Sequence, residues 1–341
     1  MGVELKSLIP NEKTQLNKFS SKIVAIDAYN AIYQFLTTIR GPDGNQLTDS
    51  KGRITSHISG LFYRNVNFLS IGIKPIYVFD GKPLEMKSTE IKKRQILKSR
   101  ATLNYEKAKL NFNIGNMKKF AQQSTSIKDS MIVDSKHILQ LLGIPYLQAP
   151  SDGEATAAHL TLTDQAYAVA SQDFDSILFG AKRLIRNFTL SGKRKIPNKK
   201  SYVEIEPEII ETNKILTQYN LTRRQLVDVG ILIGTDFNPN SFHGIGPKKA
   251  LKLMQKHSKL ENIPEIEGEL QKIKFNDIRK IFLEPNVTNI SEIKFNEIDY
   301  KKIEEYLVNE RDFSMERIKS SLNKLKAVTD RKKQSLEKWF T

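Results

Sequence analysis

Between Gln148 and Phe179 the chain reads Gln-Ala-Pro-Ser-Asp-Gly-Glu and then, after a helical segment, Ala-Ser-Gln-Asp-Phe-Asp-Ser-Ile-Leu-Phe. Four carboxylates, Asp152, Glu154, Asp173 and Asp175, therefore stand at two junctions. One pair follows Pro150 at a helix start, and the other follows the apolar run Ala166 to Ala170 at the end of an expected strand. Ser151-x-x-Glu154 also has the form of a capping box, which would account for Glu154 but not for Asp152. Asp173 and Asp175 are two apart, so in an extended segment both would leave on one face.

The same arrangement occurs earlier in the chain. Lys22 to Ile26 reads as a buried strand ending at Asp27, followed by a helix over Ala28 to Ile39; Asp27 could equally serve as that helix's N-cap. Lys74 to Phe79 is a second strand, and it ends in Asp80-Gly81. Ser56 to Leu69 and Met131 to Leu142 read as amphipathic helices, and Leu226 to Ile233 as a buried helix ending near Asp236. Ala181 to Ile205 has the pattern of a basic hairpin turning near Ser191-Gly192. In a doubly wound sheet, ligands bind beyond the C-terminal ends of the strands. Asp27, Asp80, Asp152, Glu154, Asp173, Asp175 and Asp236 could thus meet at one place.

Two unit charges about 4 Å apart repel by roughly 4 kcal/mol at an effective dielectric of 20. A few such pairs would consume a typical folding stability of about 5 to 15 kcal/mol. The cluster must bind cations or keep some acids protonated, and an all-oxygen set favours Mg²⁺ or Mn²⁺ over Zn²⁺. Two such ions about 3.5 to 4 Å apart can activate a water and clamp a scissile phosphate.

Charge agrees with a phosphate-bearing partner. The 341 residues carry 54 Lys and Arg against 38 Asp and Glu, a formal net charge of +16, and so basic a balance favours a polyanion. From Lys82 to Lys119 there are eleven Lys or Arg and three Glu with few large apolar residues, so this stretch should project from the body beside Asp80. Gly244-Ile245-Gly246-Pro247-Lys248-Lys249 combines a tight turn, a proline suited to a helix's first position and two cations, which suits a nucleic-acid backbone. No apolar run is long enough to span a bilayer, and Lys6 stands where a myristoylation motif needs Ser or Thr. The absence of cysteine fits a reducing interior, and a monomer is expected.

The blocks Asp-Ala-Tyr-Asn-Ala-Ile-Tyr-Gln-Phe-Leu from Asp27, Tyr-Val-Phe-Asp-Gly-Lys-Pro from Tyr77, Ile-Pro-Tyr-Leu-Gln-Ala-Pro-Ser from Ile144 and Gly-Ile-Gly-Pro-Lys from Gly244 closely resemble the structure-specific 5′ flap endonucleases of archaea and eukaryotes. The resemblance implies an α/β fold with a mostly parallel central sheet and helices on both sides (a PIN-like 5′ nuclease fold), a helical arch and a helix-two-turn-helix motif. It implies nuclease halves over 1–100 and 131–257, an arch over 82–130, the helix-two-turn-helix near 236–257, a helical region over 258–329 and a sliding-clamp-binding tail over 330–341. The seven acids match the family's ligands for two divalent ions. Lys87 and Arg94 match its catalytic cations, and Tyr33 its stacking aromatic. Gly2, Arg40, Arg64, Gly244, Gly246, Lys248 and Lys249 match DNA-contacting positions, with K⁺ often carried at the hairpin. The partners implied are flap or branched DNA and a sliding clamp (proliferating cell nuclear antigen). The compartment would be the cytoplasm of an archaeon, or the nucleus in a eukaryote.

The chain departs from the family pattern in two places. Asp152 stands where the family usually has Glu, one methylene shorter. In the tail, Leu336, Trp339 and Phe340 hold the clamp-binding positions, but Lys333 occupies the glutamine position and Gln334 falls one place late. Other readings are an aspartyl-phosphate phosphatase built on Asp173-Phe174-Asp175, a non-catalytic clamp-tethered scaffold, and a 5′ exonuclease or bubble-cutting relative. The first leaves Asp27 and Asp80 without a role, and the second does not need so costly an acid cluster.

Overall fold

A computed structural model describes residues 2–10, 12–41, 44–111, 113–189, 192–195, 201–239 and 242–340; the side chains of 114, 193–195, 202–203 and 329–340 lie outside that description. Seven strands form one sheet in the order β1-β9-β6-β5-β2-β3-β4. They are β1 (Glu12–Lys13), β2 (Ile23–Asp27), β3 (Lys74–Phe79), β4 (Tyr146–Gln148), β5 (Ala168–Ala170), β6 (Arg183–Arg186) and β9 (Glu208–Glu211). The four pairings from β6 through β5, β2 and β3 to β4 are parallel, while β9 runs antiparallel to both β6 and β1. The sheet is therefore mixed, with a parallel centre. Its order reverses at β2, which has β3 on one side and β5 on the other.

Alternation along each strand sends side chains to opposite faces, and both faces are covered. Ala25, Ile76, Val78, Val169 and Leu184 join one core with α6 (Gly153–Leu162), α7 (Asp175–Leu178), α8 (Thr212–Tyr219), α9 (Arg223–Ile233) and α10 (Pro247–His257). Val24, Ile26, Tyr77, Phe79 and Ala170 join the other with α1 (Ala28–Thr38), α2 (Ser56–Ser70) and α5 (Asp129–Leu141). The polar region after residue 258 divides between these cores. Leu260, Ile266, α11 (Glu267–Leu270) and α12 (Phe275–Leu283) close the first, while α13 (Tyr300–Glu304), a six-residue π-helix (Glu305–Glu310) and α14 (Met315–Phe340) close the second through Ile303, Leu307, Ile318 and Leu322.

Two segments differ from the sequence expectation. The expected hairpin over Ala181 to Ile205 is not one hairpin. Leu184 and Ile185 are fully buried, so β6 joins the main sheet and carries Arg183 and Arg186 with it. The antiparallel pair is β7 (Gly192–Lys195) with β8 (Tyr202–Ile205). Ser191 lies outside the described residues. The basic stretch after Asp80 does project. A single 3₁₀ turn (Glu85–Lys87) leads into α3 (Ser88–Leu110), which packs on α4 (Ile114–Gln123) and buries only Ala101 and Ala108. Among the described residues, no helix is long and apolar enough to cross a membrane.

Candidate active site

The parallel centre places the acids. Asp27 ends β2 and caps α1, accepting from the Asn30 N–H at 3.1 Å. Asp80 follows β3 and accepts from the Gly153 N–H at 2.6 Å, so β3 and the start of α6 are fastened together. A Cβ on Gly153 would stand 2.7 Å from Asp80 Oδ1, so a side chain there would require that carboxylate to shift. Beyond β5, Asp175 opens α7 instead of lying in an extended segment. The shared-face argument for Asp173 and Asp175 thus fails in its geometry, yet both carboxylates still reach the cluster. Asp175 accepts from the Val3 N–H at 2.7 Å, and Asp173 accepts from Asn30 Nδ2 at 3.4 Å. Asp236 arrives from outside the sheet, on a turn after α9 that Asn238 locks through Thr235 and Ile231.

The capping-box reading of Ser151 and Glu154 is corrected. Asp152 is the N-cap of α6, accepting from the Glu154 N–H at 3.2 Å. Glu154 turns inward, and its Oε1 is buried without a hydrogen-bond partner. Burial, and then the charges of Asp175, Asp27, Asp173 and Asp152, raise its pKa well above the ordinary glutamate range. Asp27 is likewise raised well above normal, by burial and then by Asp80, with Asp173 and Asp152 adding to the effect. Burial and Asp152 push Asp80 up to about 6, with Asp236 contributing and the Gly153 N–H and Lys87 opposing. Burial and Asp236 push Asp175 up to about 7, with the Val3 N–H and Lys87 opposing. The charges of Asp152, Asp173 and Asp236 act on these four acids, so the seven lie together beyond the strand ends.

Among the described residues, no three acidic or imidazole side chains converge on one point in ligating geometry. Two cations stand between the acids instead. Lys87 donates to Asp152 and lies 5.0 Å from the Phe237 ring. Arg94 Nη2 reaches both Asp236 oxygens, at 2.7 and 2.8 Å, and its Nε reaches Glu90 at 2.8 Å. Burial opposes the Lys87 charge, but Asp152, Asp236 and Asp175 outweigh it and its pKa rises. An open cleft of about 170 Å³ is lined by Asp80, Asp152 and Asp236 together with Leu84, Lys87, Ile91 and Arg94. A larger groove of about 720 Å³ beside α13 and α14 is remote from these groups and lined mainly by lysines and glutamates. The all-oxygen donor set, the unpartnered Glu154 Oε1 and the raised acids fit divalent cations.

The remaining sequence candidates fall around this centre. A Cβ on Gly2 would stand 2.4 Å from Asp175 Oδ1, so Gly2 lies directly on the cluster. Tyr33 is 37% exposed on α1, with the Lys98 ammonium 5.8 Å from its ring. Arg64 lies over the Phe68 ring on α2. Gly244 has φ +68°, Gly246 caps α10, and Lys248 and Lys249 are exposed on its first turn. Arg40 is bound to Gly44, Ala121 and Thr125. Gln334, Leu336, Trp339 and Phe340 lie on the helical backbone of α14, and their side chains lie outside the described residues. Sequence reasoning missed the supports of the cluster, chiefly Asn30 and Gln34, which donates to Asn30 at 2.7 Å. Their only signal is polarity on the inward face of α1, three and seven residues after Asp27.

A parallel sheet edge that gathers seven acids under a basic helical pair defines a nuclease of the XPG class, and the comparisons agree. Residues 1–101 match the family model of the XPG N-terminal domain, and residues 143–236 that of the XPG I-region. The flap endonuclease 1 of Nitrosopumilus maritimus is 61% identical over 340 residues, covering all of both chains, and that of Saccharolobus solfataricus is 48% identical over 350 residues, covering 99% and 100%. The solved flap endonuclease-1 of Methanococcus jannaschii superposes with a TM-score of 0.74 at 35% identity, over 97% of this chain and 100% of that one. The catalytic core of Rad2 bound to its DNA substrate shares the fold, with a TM-score of 0.68 at 21% identity over 94% and 97%. The chain belongs to the flap endonuclease 1 family. It is a structure-specific, metal-dependent nuclease that hydrolyses DNA phosphodiester bonds.

Proposed function

We propose that this chain cuts 5′ flap DNA beside the junction of single and double strand, with 5′-3′ exonuclease activity from the same centre, in Okazaki fragment maturation and repair. The observation that carries the reading is the convergence of seven acids from separate chain segments beneath two arch cations. Asp27, Asp80, Asp152, Glu154, Asp173, Asp175 and Asp236 would hold two Mg²⁺ or Mn²⁺ ions, which when bound supply Lewis-acid activation of water and scissile phosphate. Lys87 and Arg94 exchange a carboxylate partner for phosphate oxygens and offset the charge that builds during cleavage. Tyr33, exposed at the edge of the cluster, stacks on the terminal base pair. Arg64 contacts DNA near the active site and the displaced strand, while the Gly244 to Lys249 turn holds duplex backbone without reading bases and is the place for the K⁺ the family resemblance implies. Arch residues over 82–130 admit a single strand and exclude a duplex. The tail over 330–341 docks on a sliding clamp, proliferating cell nuclear antigen, through Gln334, Leu336, Trp339 and Phe340.

The test is cleavage of matched flap, bubble, nicked and duplex DNAs with and without Mg²⁺. The flap is cut fastest and only with the metal. Faster cutting of the bubble would replace this reading with that of a bubble-cutting relative.

A further inference from the structure

Asn30 on α1 touches two acids that arrive from different strands. Its backbone N–H donates to Asp27 Oδ1 at 3.1 Å, and its side-chain Nδ2 donates to Asp173 Oδ2 at 3.4 Å. One turn further along the helix Gln34 lies on the same face, and its Nε2 donates to Asn30 Oδ1 at 2.7 Å. Gln34 Oε1 in turn accepts from the hydroxyl of Thr189, which follows the end of β6. A hydrogen-bonded chain thus runs from Thr189 through Gln34 and Asn30 to Asp173, from the end of β6 across α1 to the segment after β5.

The chain has one workable direction. A carboxylate that binds a metal ion is ionised, and it accepts hydrogen bonds without donating any. Asn30 must therefore turn its NH₂ toward Asp173, which leaves Oδ1 facing Gln34. Gln34 must answer with its own NH₂, which leaves Oε1 for a donor, and the Thr189 hydroxyl supplies one. Neither amide can turn over without setting an oxygen against an acceptor. Gln34 and Thr189 are both buried, and Ala170, Ile185 and Phe188 line the same gap between α1 and the ends of β5 and β6. In so apolar a place an amide or hydroxyl stripped of its partner is costly, so the chain holds as a unit.

We infer that Gln34 and Thr189 are positioning residues for the metal centre: acting through Asn30, they hold the Asp173 carboxylate in the orientation that takes a divalent cation. Glutamine serves because one amide carries a donor for Asn30 and an acceptor for Thr189, and threonine serves by its hydroxyl. An apolar side chain of the same size fills the gap but releases Asn30. The inference rests on the reading that Asp173 holds a divalent ion.

The experiment measures Mn²⁺ binding to the full chain without DNA, by electron paramagnetic resonance, beside single-turnover flap cleavage over a Mg²⁺ series. The variants are Gln34→Met, Thr189→Val and Thr189→Ser, each also made with Asp173→Asn, and thermal unfolding shows that they fold. Loss of a hydrogen-bond partner behind a ligating group costs about 10- to 100-fold in metal affinity or activity. Gln34→Met is therefore expected to bind Mn²⁺ about 10-fold more weakly and to need about 10-fold more Mg²⁺ for half-maximal cleavage. Thr189→Val shifts both in the same direction by less, Thr189→Ser restores the parent's values, and no shift adds to that of Asp173→Asn. Thr189→Val, which keeps the shape of the side chain, carries the test if Gln34→Met does not fold. A lowered melting temperature with unchanged Mn²⁺ binding and Mg²⁺ dependence overturns the inference in favour of a purely structural role. A shift in Thr189→Ser as large as in Thr189→Val, or shifts that persist in full beside Asp173→Asn, overturn it as well. If Asp173→Asn itself binds Mn²⁺ and cleaves like the parent, the reading of Asp173 as a ligand fails instead, and the two failures are distinguishable.

Discussion

Three acids at the centre are held by backbone N–H groups: Asp27 by its cap on α1, Asp80 by the Gly153 N–H, Asp175 by the Val3 N–H. Replacing Asp175 with Asn keeps an acceptor for Val3 and removes one charge. Asp175→Asn should therefore bind flap DNA normally and lose nearly all cleavage in Mg²⁺, as read by single-turnover kinetics beside a binding assay. The charge it removes also opposes folding. Asp80 and Asp175 titrate near 6 and 7 in the folded chain against an ordinary aspartate value of 3.8. The folded state therefore binds more protons than the unfolded one between about pH 4 and 7, and by linkage stability falls as pH rises through that window. Without metal, the melting temperature should drop over this range. Asp175→Asn should recover on the order of 5 °C at pH 8 and almost nothing at pH 4.5. Calorimetry in chelator at the two pH values checks both statements.

At the scale of elements, the site depends on how closely β3, α6 and the arch approach one another. Gly153 is the point of contact, because any side chain there meets both the Asp80 carboxylate and the Val78 carbonyl. Gly153→Ala should displace Asp80 and cost about 10²-fold in rate, with circular dichroism showing a folded protein. The 3₁₀ turn before α3 carries Lys87 into the cluster, and Lys87→Ala should lower the single-turnover rate by about 10²-fold. α3 itself was recognisable from charge, since a segment with so little apolar content cannot enter a core. The hairpin after β5 was not. Leu184 and Ile185 are adjacent and flanked by Arg183 and Arg186, which fits either an exposed ribbon or a sheet strand, and the pairing with β5 and β9 decided the matter.

Across the whole molecule, the region after residue 258 is the part that periodicity described least well. It is not a separate unit. Its apolar residues are shared between the two cores, and Arg279 on α12 reaches back to buried Asp228 on α9 at 2.8 and 3.1 Å and to Glu261 at 2.9 Å. Arg279→Leu would leave Asp228 buried and unpaired, and should destabilise the fold by about 3 to 5 kcal/mol in urea titration. At the chain's end, deletion of residues 336–341 should abolish stimulation by a sliding clamp and leave unstimulated cleavage intact, which a cleavage assay with and without the clamp checks.

What the sequence determined by itself was the kind of residue at each strand end, and therefore the chemistry. Short apolar runs ending in Asp27, Asp80, Asp173 and Asp175 can be read locally, because strand period and helix start are properties of neighbouring residues. The supports were hidden for the opposite reason. That Asn30 holds Asp173, that Gly2 lies against Asp175, and that Glu154 points inward instead of closing a capping box depend on segments far apart in the chain. Such contacts follow from strand order, and strand order is chosen by burying both faces of the sheet at once, a condition no stretch of sequence satisfies alone.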